Sequence, residues 1–379
     1  MEINKKKSLL ISCLVLNGSR SGYKTIIKNL VENSINDNSQ NYHNIFVFQK
    51  SGWESLELEL KKVISNKSTK VLIFKSFKSK WIRAIFEQLI IILLAIYYKS
   101  DYIFMPCTFG LILPIKKTIT FVHTNTSFKL PRKLRGRGYI QQLAHNLMIK
   151  VTSLTSYRLL FTSAITKDEY IKFNNIKNTA NLYVIENGIN TKRFKDGDKL
   201  AINELVNEKF ILSVSQIYRL KNFDNLIKSY LQFVKYEESL IKLVIVGTIQ
   251  EKDYFNELQE ISSWNENIIF LQNVLDSELN WLYKNCEIYI LLSFFEGFSL
   301  TPAEAICSGK SIILSDINVH RKIYAGLAEF VDPNSVDLIY RAILNRKRNI
   351  ISPNKREEFI KKISLELFIN RLYKEIFYE

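Results

Sequence analysis

Glu287-Ile288-Tyr289-Ile290-Leu291-Leu292-Ser293 is a short apolar run, and Phe294-Phe295-Glu296-Gly297-Phe298-Ser299-Leu300-Thr301-Pro302-Ala303-Glu304-Ala305 follows it directly. Such a short Ile- and Leu-rich run has the pattern of a strand buried on both faces. A glycine-containing loop then turns, and Thr301 with Pro302 supplies an N-cap and an N1 residue that open a helix. Strand, tight loop and helix in that order are the unit of a parallel sheet covered by helices. In such sheets ligands bind beyond the carboxyl ends of the strands, against helix N-termini. The backbone N–H groups of Phe298, Ser299, Leu300 and Thr301 are therefore candidates to meet phosphate or hydroxyl oxygens, and Gly297 allows close approach. Glu296 and Glu304 flank this turn eight positions apart. Carboxylates are acceptors suited to the hydroxyls of a sugar and a ribose. Each also has a plainer reading: Thr301-x-x-Glu304 is a capping box, and Glu296 is a solvated loop carboxylate.

The same alternation continues on either side. Strands are expected at 210–214, 243–246, 268–271, 288–292 and 312–314, with helices at 222–234, 254–262, 277–284 and 302–308. Upstream, strands are expected at 8–16, 44–49, 70–74, 102–105, 118–123, 159–162 and 182–185, with helices at 23–36 and 139–153. A polar stretch, 186–208, interrupts the pattern. The reading is an α/β protein of two Rossmann-like domains, 1–185 and 186–354. A helical segment at 355–379, with Phe359, Ile363, Leu367 and Leu372 at helical spacing, is expected to pack back towards the first domain. The 379 residues leave ample chain for two cores.

The charge divides as sharply as the strands. Residues 1–190 hold 28 Lys+Arg against 11 Asp+Glu, an excess of 17 positive charges, whereas the remainder holds 25 against 26. This asymmetry points to nucleic acid, an anionic membrane surface or an acidic substrate. With 47% hydrophobic and 24% charged residues, wholesale disorder is excluded. Cys13, Cys107, Cys286 and Cys307 are widely spaced, which argues against a disulfide scaffold or zinc site and fits a reducing cytosol. Lys5-Lys6-Lys7 before an apolar run imitates a signal peptide, but Asn17-Gly18-Ser19-Arg20-Ser21-Gly22 follows as a turn in place of a cleavage site. The run at 89–98 is apolar throughout but only ten residues long, and a spanning helix needs about 20. It is expected as a buried helix, with Lys75, Lys78, Lys80, Arg83 and Lys99 leaving an interfacial position open.

Three segments carry a family resemblance: VIENGINTKRF (184–194), FILSVSQIYRLKNFDNLIKSY (210–230) and EGFSLTPAEAICSGKSIILSDINVHRKI (296–323). With the Glu-x7-Glu pair Glu296/Glu304 they resemble the retaining family 4 glycosyltransferases, the glycosyl transferases group 1. The match runs over roughly 182–335 and more loosely into the first half. The resemblance implies a GT-B architecture, two Rossmann-like domains with parallel sheets facing a central cleft. It implies that Glu296 holds hydroxyls of the donor sugar, Glu304 the nucleotide ribose, and Lys221 the diphosphate. Five positions before that Lys the family carries an Arg, and here stands Gln216. Gln bonds a phosphate oxygen but brings no charge to a leaving group, so either the clamp is weakened or Arg219 of the same loop takes the role. Gly18 resembles the family's glycine loop, with a plain βα turn as its alternative. His123 stands at a strand end where many relatives carry a His near the donor sugar, with a structural histidine as its alternative. Lys129, Arg132, Lys133, Arg135 and Arg137 make 124–138 either an acceptor or membrane contact or a solvated basic loop.

Asp196-Gly197-Asp198 has the form of a metal-binding DxD, but it lies between Lys195 and Lys199 in the charged boundary and reads as a linker turn. No essential metal and no cofactor are expected. The resemblance implies transfer of a sugar from a nucleotide-diphosphate donor to a hydroxyl of a glycan or lipid-linked acceptor, with retention. Lys-, Asn- and Ile-rich usage suggests an AT-rich bacterial source, where such enzymes build O-antigen, capsule or exopolysaccharide. The charge then points to a protein peripheral at the inner face of the cytoplasmic membrane, with an anionic membrane surface rather than nucleic acid as partner. Glu296→Ala is expected to abolish transfer and leave the fold intact. The alternatives are another GT-B enzyme such as a nucleotide-sugar epimerase, a basic nucleic-acid-binding protein, and a non-catalytic GT-B partner, which Gln216 keeps open.

Overall fold

The computed structural model describes residues 6–16, 22–36, 42–56, 69–113, 115–123, 139–196, 200–237, 241–263, 265–346 and 351–377. These divide into two units, one running to Gly188 and resuming at Leu365, the other spanning Ile189–Ser364. The first unit holds β1 (Lys7–Ser12), α1 (Gly22–Asn36), β2 (Tyr42–Gln49), α2 (Lys50–Glu54), β3 (Thr69–Phe74) and α3 (Lys80–Tyr97). It continues with β4 (Tyr102–Met105), β5 (Lys117–Val122), α4 (Tyr139–Thr155), β6 (Arg158–Phe161), α5 (Ala164–Asn174) and β7 (Leu182–Val184). The second unit runs α6 (Thr191–Asp196), β8 (Phe210–Val214), α7 (Phe223–Glu237), β9 (Lys242–Val246), α8 (Lys252–Ile261), β10 (Ile268–Leu271) and α9 (Asp276–Asn285). Then come β11 (Ile288–Leu291), α10 (Leu300–Cys307), β12 (Ile312–Ser315), α11 (Asn318–Ile323), β13 (Glu329–Val331), α12 (Val336–Leu344) and α13 (Pro353–Lys362). The chain ends with α14 (Leu365–Phe377) in the first unit.

Both sheets are parallel, in the orders β3-β2-β1-β4-β5-β6-β7 and β10-β9-β8-β11-β12-β13. The reason lies in the apolar runs. In β1, Leu9 and Ile11 enter one core with α1 and α14, while Leu10 enters the opposite core under α3. In β8, Phe210, Leu212 and Val214 face one side and Ile211 the other. A strand apolar at every position needs cover on both faces, and the crossover helices supply it. The two α/β domains expected from the alternation are therefore observed.

Two expectations need correction. The segment 355–379 is two helices rather than one, because Ile189 takes the backbone between them: its N–H donates to the Ile363 carbonyl (2.8 Å), and it bridges Ser364. After that break α14 packs in the first unit, where the Phe377 ring stacks on Tyr42 at 4.1 Å and the Lys7 ammonium donates to the Phe377 carbonyl at 2.6 Å. Gly188 lets this helix approach, since a Cβ there would lie 2.4 Å from the Phe368 Cβ. The second correction concerns 89–98. It forms the last part of α3, whose buried side is Glu87, Ile91 and Ala95. Leu89, Leu93, Ile96 and Tyr97 face solvent, so the run is covered on one side only. No helix among the described residues is long and apolar enough to cross a membrane.

Candidate functional site

In the second sheet the strand order reverses between β8 and β11, and such switch points are where open α/β sheets bind ligands. The loops leaving these two strands carry Lys221 and Glu296. Three features hold them together. The Ser215 N–H donates to the Val246 carbonyl and the Ile217 N–H to the Thr248 carbonyl (both 2.9 Å), so the β8 loop stays paired to the β9 loop. Gly247 permits this approach, because a Cβ there would fall 1.8 Å from the Ser215 carbonyl oxygen. Asn222 takes the left-handed conformation (φ 57°), and its buried amide donates to the carbonyls of Leu292 (3.2 Å) and Pro333 (2.7 Å). Finally the Phe294 N–H donates to the Leu220 carbonyl at 2.9 Å, tying the β11 loop to the β8 loop.

The result is a contact of 2.5 Å between Lys221 Nζ and Glu296 Oε1, with both side chains about nine-tenths buried. Burial pulls the Glu296 carboxyl upward, but the Lys221 ammonium and His320 outweigh it and leave the group below the usual carboxylate range. For Lys221 burial works downward, and Glu296 and Tyr218 reverse it, so the ammonium is held charged. The site thus holds a positive and a negative group together in a protected position.

The turn into α10 departs from the expected cap. The helix begins at Leu300, two residues before Pro302, with Ser299 as N-cap at φ 68°. Thr301 is already helical, and its hydroxyl is hydrogen-bonded to that of Tyr289 at 2.6 Å. Glu304 Oε2 accepts from the buried Tyr283 hydroxyl at 2.8 Å. The Thr301–Glu304 capping box is therefore absent, because both residues find tyrosine partners and the start of the helix lies earlier. A left-handed serine is unusual; here Tyr324 donates to its carbonyl and its hydroxyl meets His320 Nε2 at 3.1 Å.

His320, on α11, was not singled out by motif. Its Nδ1 lies 3.0 Å from the Ser315 carbonyl, which only accepts, so Nδ1 carries the proton and Nε2 accepts from Ser299. Burial drives its pKa down to about 4, against the pull of Glu296. The unfolded chain therefore binds this proton first. The stability linked to His320 is fully present above pH 6.5 and lost as the pH falls towards 4. The expected loss is on the order of 3 kcal/mol. Denaturant unfolding at neutral pH and near pH 4 checks it: the acid loss should shrink in His320→Ala, and an unchanged loss would contradict the assignment.

The remaining candidate residues scatter. Phe298 is buried in the core of the second unit and anchors the turn, Gly297 is buried beside it, and Leu300 opens α10. Gln216 is half-buried on the β8 loop. Arg219 does not join Lys221 at Glu296: its guanidinium is bidentate with Glu257 on α8 (2.8 Å for one limb), near Glu251 and over the Tyr254 ring. His123 lies in the first unit, at the end of β5, where burial pushes its pKa down to about 3 against a backbone hydrogen bond to Pro106. Its ring packs on Phe121 at 4.4 Å. Gly18 and the basic stretch 124–138 lie outside the described residues, as do Gly197 and Asp198 of the DxD sequence; Asp196 ends α6. No group of three or more His, Cys, Asp or Glu among the described residues is placed to hold a metal ion.

Two Rossmann-like units, each built on a parallel sheet, make up the GT-B fold. Residues 195–364 match the family described as Glycosyl transferases group 1. The chain is 26% identical over 244 residues to the O-antigen chain mannosyltransferase RfbU of Salmonella typhimurium, covering 63% of this chain and 64% of that protein. The chain thus spans just under two thirds of that relative. Among solved structures it resembles a glycosyltransferase from Rickettsia africae (TM-score 0.69, 18% identity, 99% of this chain and 100% of that one). It also resembles Anabaena HepE, solved with UDP and glucose (TM-score 0.70, 12% identity, 97% and 98% covered).

Proposed function

We propose that this protein is a retaining glycosyltransferase that moves a hexose from a nucleotide-diphosphate donor to a hydroxyl of a glycan or lipid-linked acceptor. The observation that carries the proposal is the buried Lys221–Glu296 pair at the switch point, with Glu296 on the loop that leads into α10 at Leu300. A donor diphosphate competes for Lys221, and once the pair exchanges partners the Glu296 carboxylate is free to accept from sugar hydroxyls. Glu304, beside Tyr283, takes the ribose. With Arg219 engaged by Glu257 and Gln216 uncharged, Lys221 is the cation in contact with Glu296 and carries the leaving-group charge.

In the transfer the bond from the anomeric carbon to the leaving phosphate oxygen breaks, and a bond to the acceptor oxygen forms on the same face. The acceptor proton passes to the departing diphosphate. No metal takes part in this reading, and EDTA should leave donor binding unchanged; loss of binding in EDTA would contradict it. The name of the Salmonella relative favours a place in bacterial surface polysaccharide synthesis, O-antigen first among them. The basic first unit favours a position at the inner face of the cytoplasmic membrane. Incubation with nucleotide sugars and membrane extracts, followed by NMR of the product, tests the proposal: a new glycosidic bond with the donor's anomeric configuration supports it. An inverted product, or an altered free nucleotide sugar without a glycoside, overturns it.

A further inference from the structure

The outward face of α3 is unusual for a water-exposed helix. Trp81, Ile85, Leu89, Leu93 and Tyr97 recur every fourth residue, and each is 59 to 76% exposed. Residues at that spacing form one stripe, and 18 residues give it a length of about 27 Å. Its ends are aromatic and its middle aliphatic. Lys75, Lys78 and Lys80 stand exposed before it and Lys99 after it. The helix has one acidic residue, Glu87, which is turned inward to Arg83 (3.0 Å) and the Ser12 hydroxyl.

The apolar surface extends beyond this helix. Gln88 of α3 donates to the Gly110 carbonyl (3.2 Å) and accepts from the Ile112 N–H (2.8 Å). Thr152 and Thr155 of α4 bond the Gly110 N–H (3.0 Å) and the Leu111 carbonyl (2.7 Å). The segment between them therefore stitches α3 to α4. It exposes Ile112, Leu113 and Ile115, and α4 adds Leu143, Leu147 and Leu154 along a single stripe. Exposed apolar side chains in such number on linked elements mark an interaction site.

We propose that this surface, α3 foremost, lies in the interfacial layer of an anionic lipid bilayer, with the aliphatic stripe among the acyl chains and the flanking lysines at the headgroups. Charge selects the lipid over another occupant. Among the described residues between 69 and 167, eleven Lys and Arg stand against two acidic residues, Glu87 and Asp101. Glu87 is buried and Asp101 accepts from the Ser8 N–H at 2.8 Å. Two copies of so basic a surface repel each other, whereas an anionic bilayer matches both its charge and its apolar stripe. Aromatic residues at the ends of the helix suit the headgroup boundary. The inference rests on the membrane position proposed above and names the element that achieves it.

The test is co-sedimentation with vesicles of phosphatidylglycerol and phosphatidylethanolamine, at low and high salt. Wild type should bind, and part of the binding should survive salt that screens surface charge. The uncharged triple variant Ile85→Gln/Leu89→Gln/Leu93→Gln should bind at least roughly tenfold more weakly, with an unchanged melting temperature. Equal binding by wild type and variant overturns the proposal, as does wild type that ignores the vesicles. Conversion of a dimer to a monomer by the variant, with vesicle binding intact, also overturns it. Donor binding by the same preparations is read separately, so failure of the transferase reading is distinguishable from failure at α3.

Discussion

Lys221→Ala should lower sugar transfer by about a hundred- to a thousandfold, the loss typical when a leaving-group or oxyanion contact is removed. It should also destabilise the donor-free protein by about 3–5 kcal/mol, because it strands Glu296 as a buried charge without its cation. The same reasoning applies to Glu296→Ala, which strands Lys221. The fold is still expected to survive Glu296→Ala, but at a cost in stability, because Glu296 is buried and paired where a solvated loop carboxylate would be removed at little cost. Removing both partners should destabilise less than the two single losses added together, since neither charge is then left alone. Denaturant unfolding of the two single variants and the double, with turnover on each, forms the cycle. Additive stability losses with near-normal turnover would show that the pair serves neither purpose.

Gly247→Ala should be the most damaging change outside the charged pair. A methyl group at that position would sit 1.8 Å from the Ser215 carbonyl oxygen, which is backbone and cannot rotate away. The β8 and β9 loops must then part, taking with them the Ser215–Val246 and Ile217–Thr248 hydrogen bonds that place Lys221. A loss of about 3 kcal/mol, at the upper end of overpacking effects, corresponds to a fall of about 6–12 °C in melting temperature. Donor affinity should fall with it, because the displaced loop carries Lys221. A calorimetric scan and a donor titration check both parts, and a wild-type melting temperature would contradict the close approach.

Both sheets were legible in the sequence because their strands are apolar at consecutive positions, a pattern that few other arrangements satisfy. The β13 strand was not, since Glu329-Phe330-Val331 is short and mixed. At the site, Lys221 and Glu296 were legible as members of ordered motifs. The partner of each was not, because the contact depends on Asn222, Gly247 and the Phe294–Leu220 hydrogen bond, which join segments distant in sequence. Local spacing misled at Thr301 and Glu304: three residues apart suits a capping box, but Tyr289 and Tyr283 arrive from other elements and take both side chains. His320 carried a signal only as a histidine following a strand, and its role emerges from the left-handed Ser299 it supports. Arg219 was placed by its loop, yet its direction is decided by Glu257 on α8. For 89–98, composition alone described a helix apolar all round, and only the packing of Ile91 and Ala95 shows which side is covered.

The most direct test of the Lys221–Glu296 site as a donor site is a thermal-shift panel of UDP-, GDP- and ADP-sugars on wild type and Lys221→Ala. Specific binding to the folded state raises the melting temperature. At least one donor should stabilise wild type, and that increment should vanish in Lys221→Ala measured from its own baseline. No stabilisation of wild type by any donor, or an equal increment in the variant, would contradict the account.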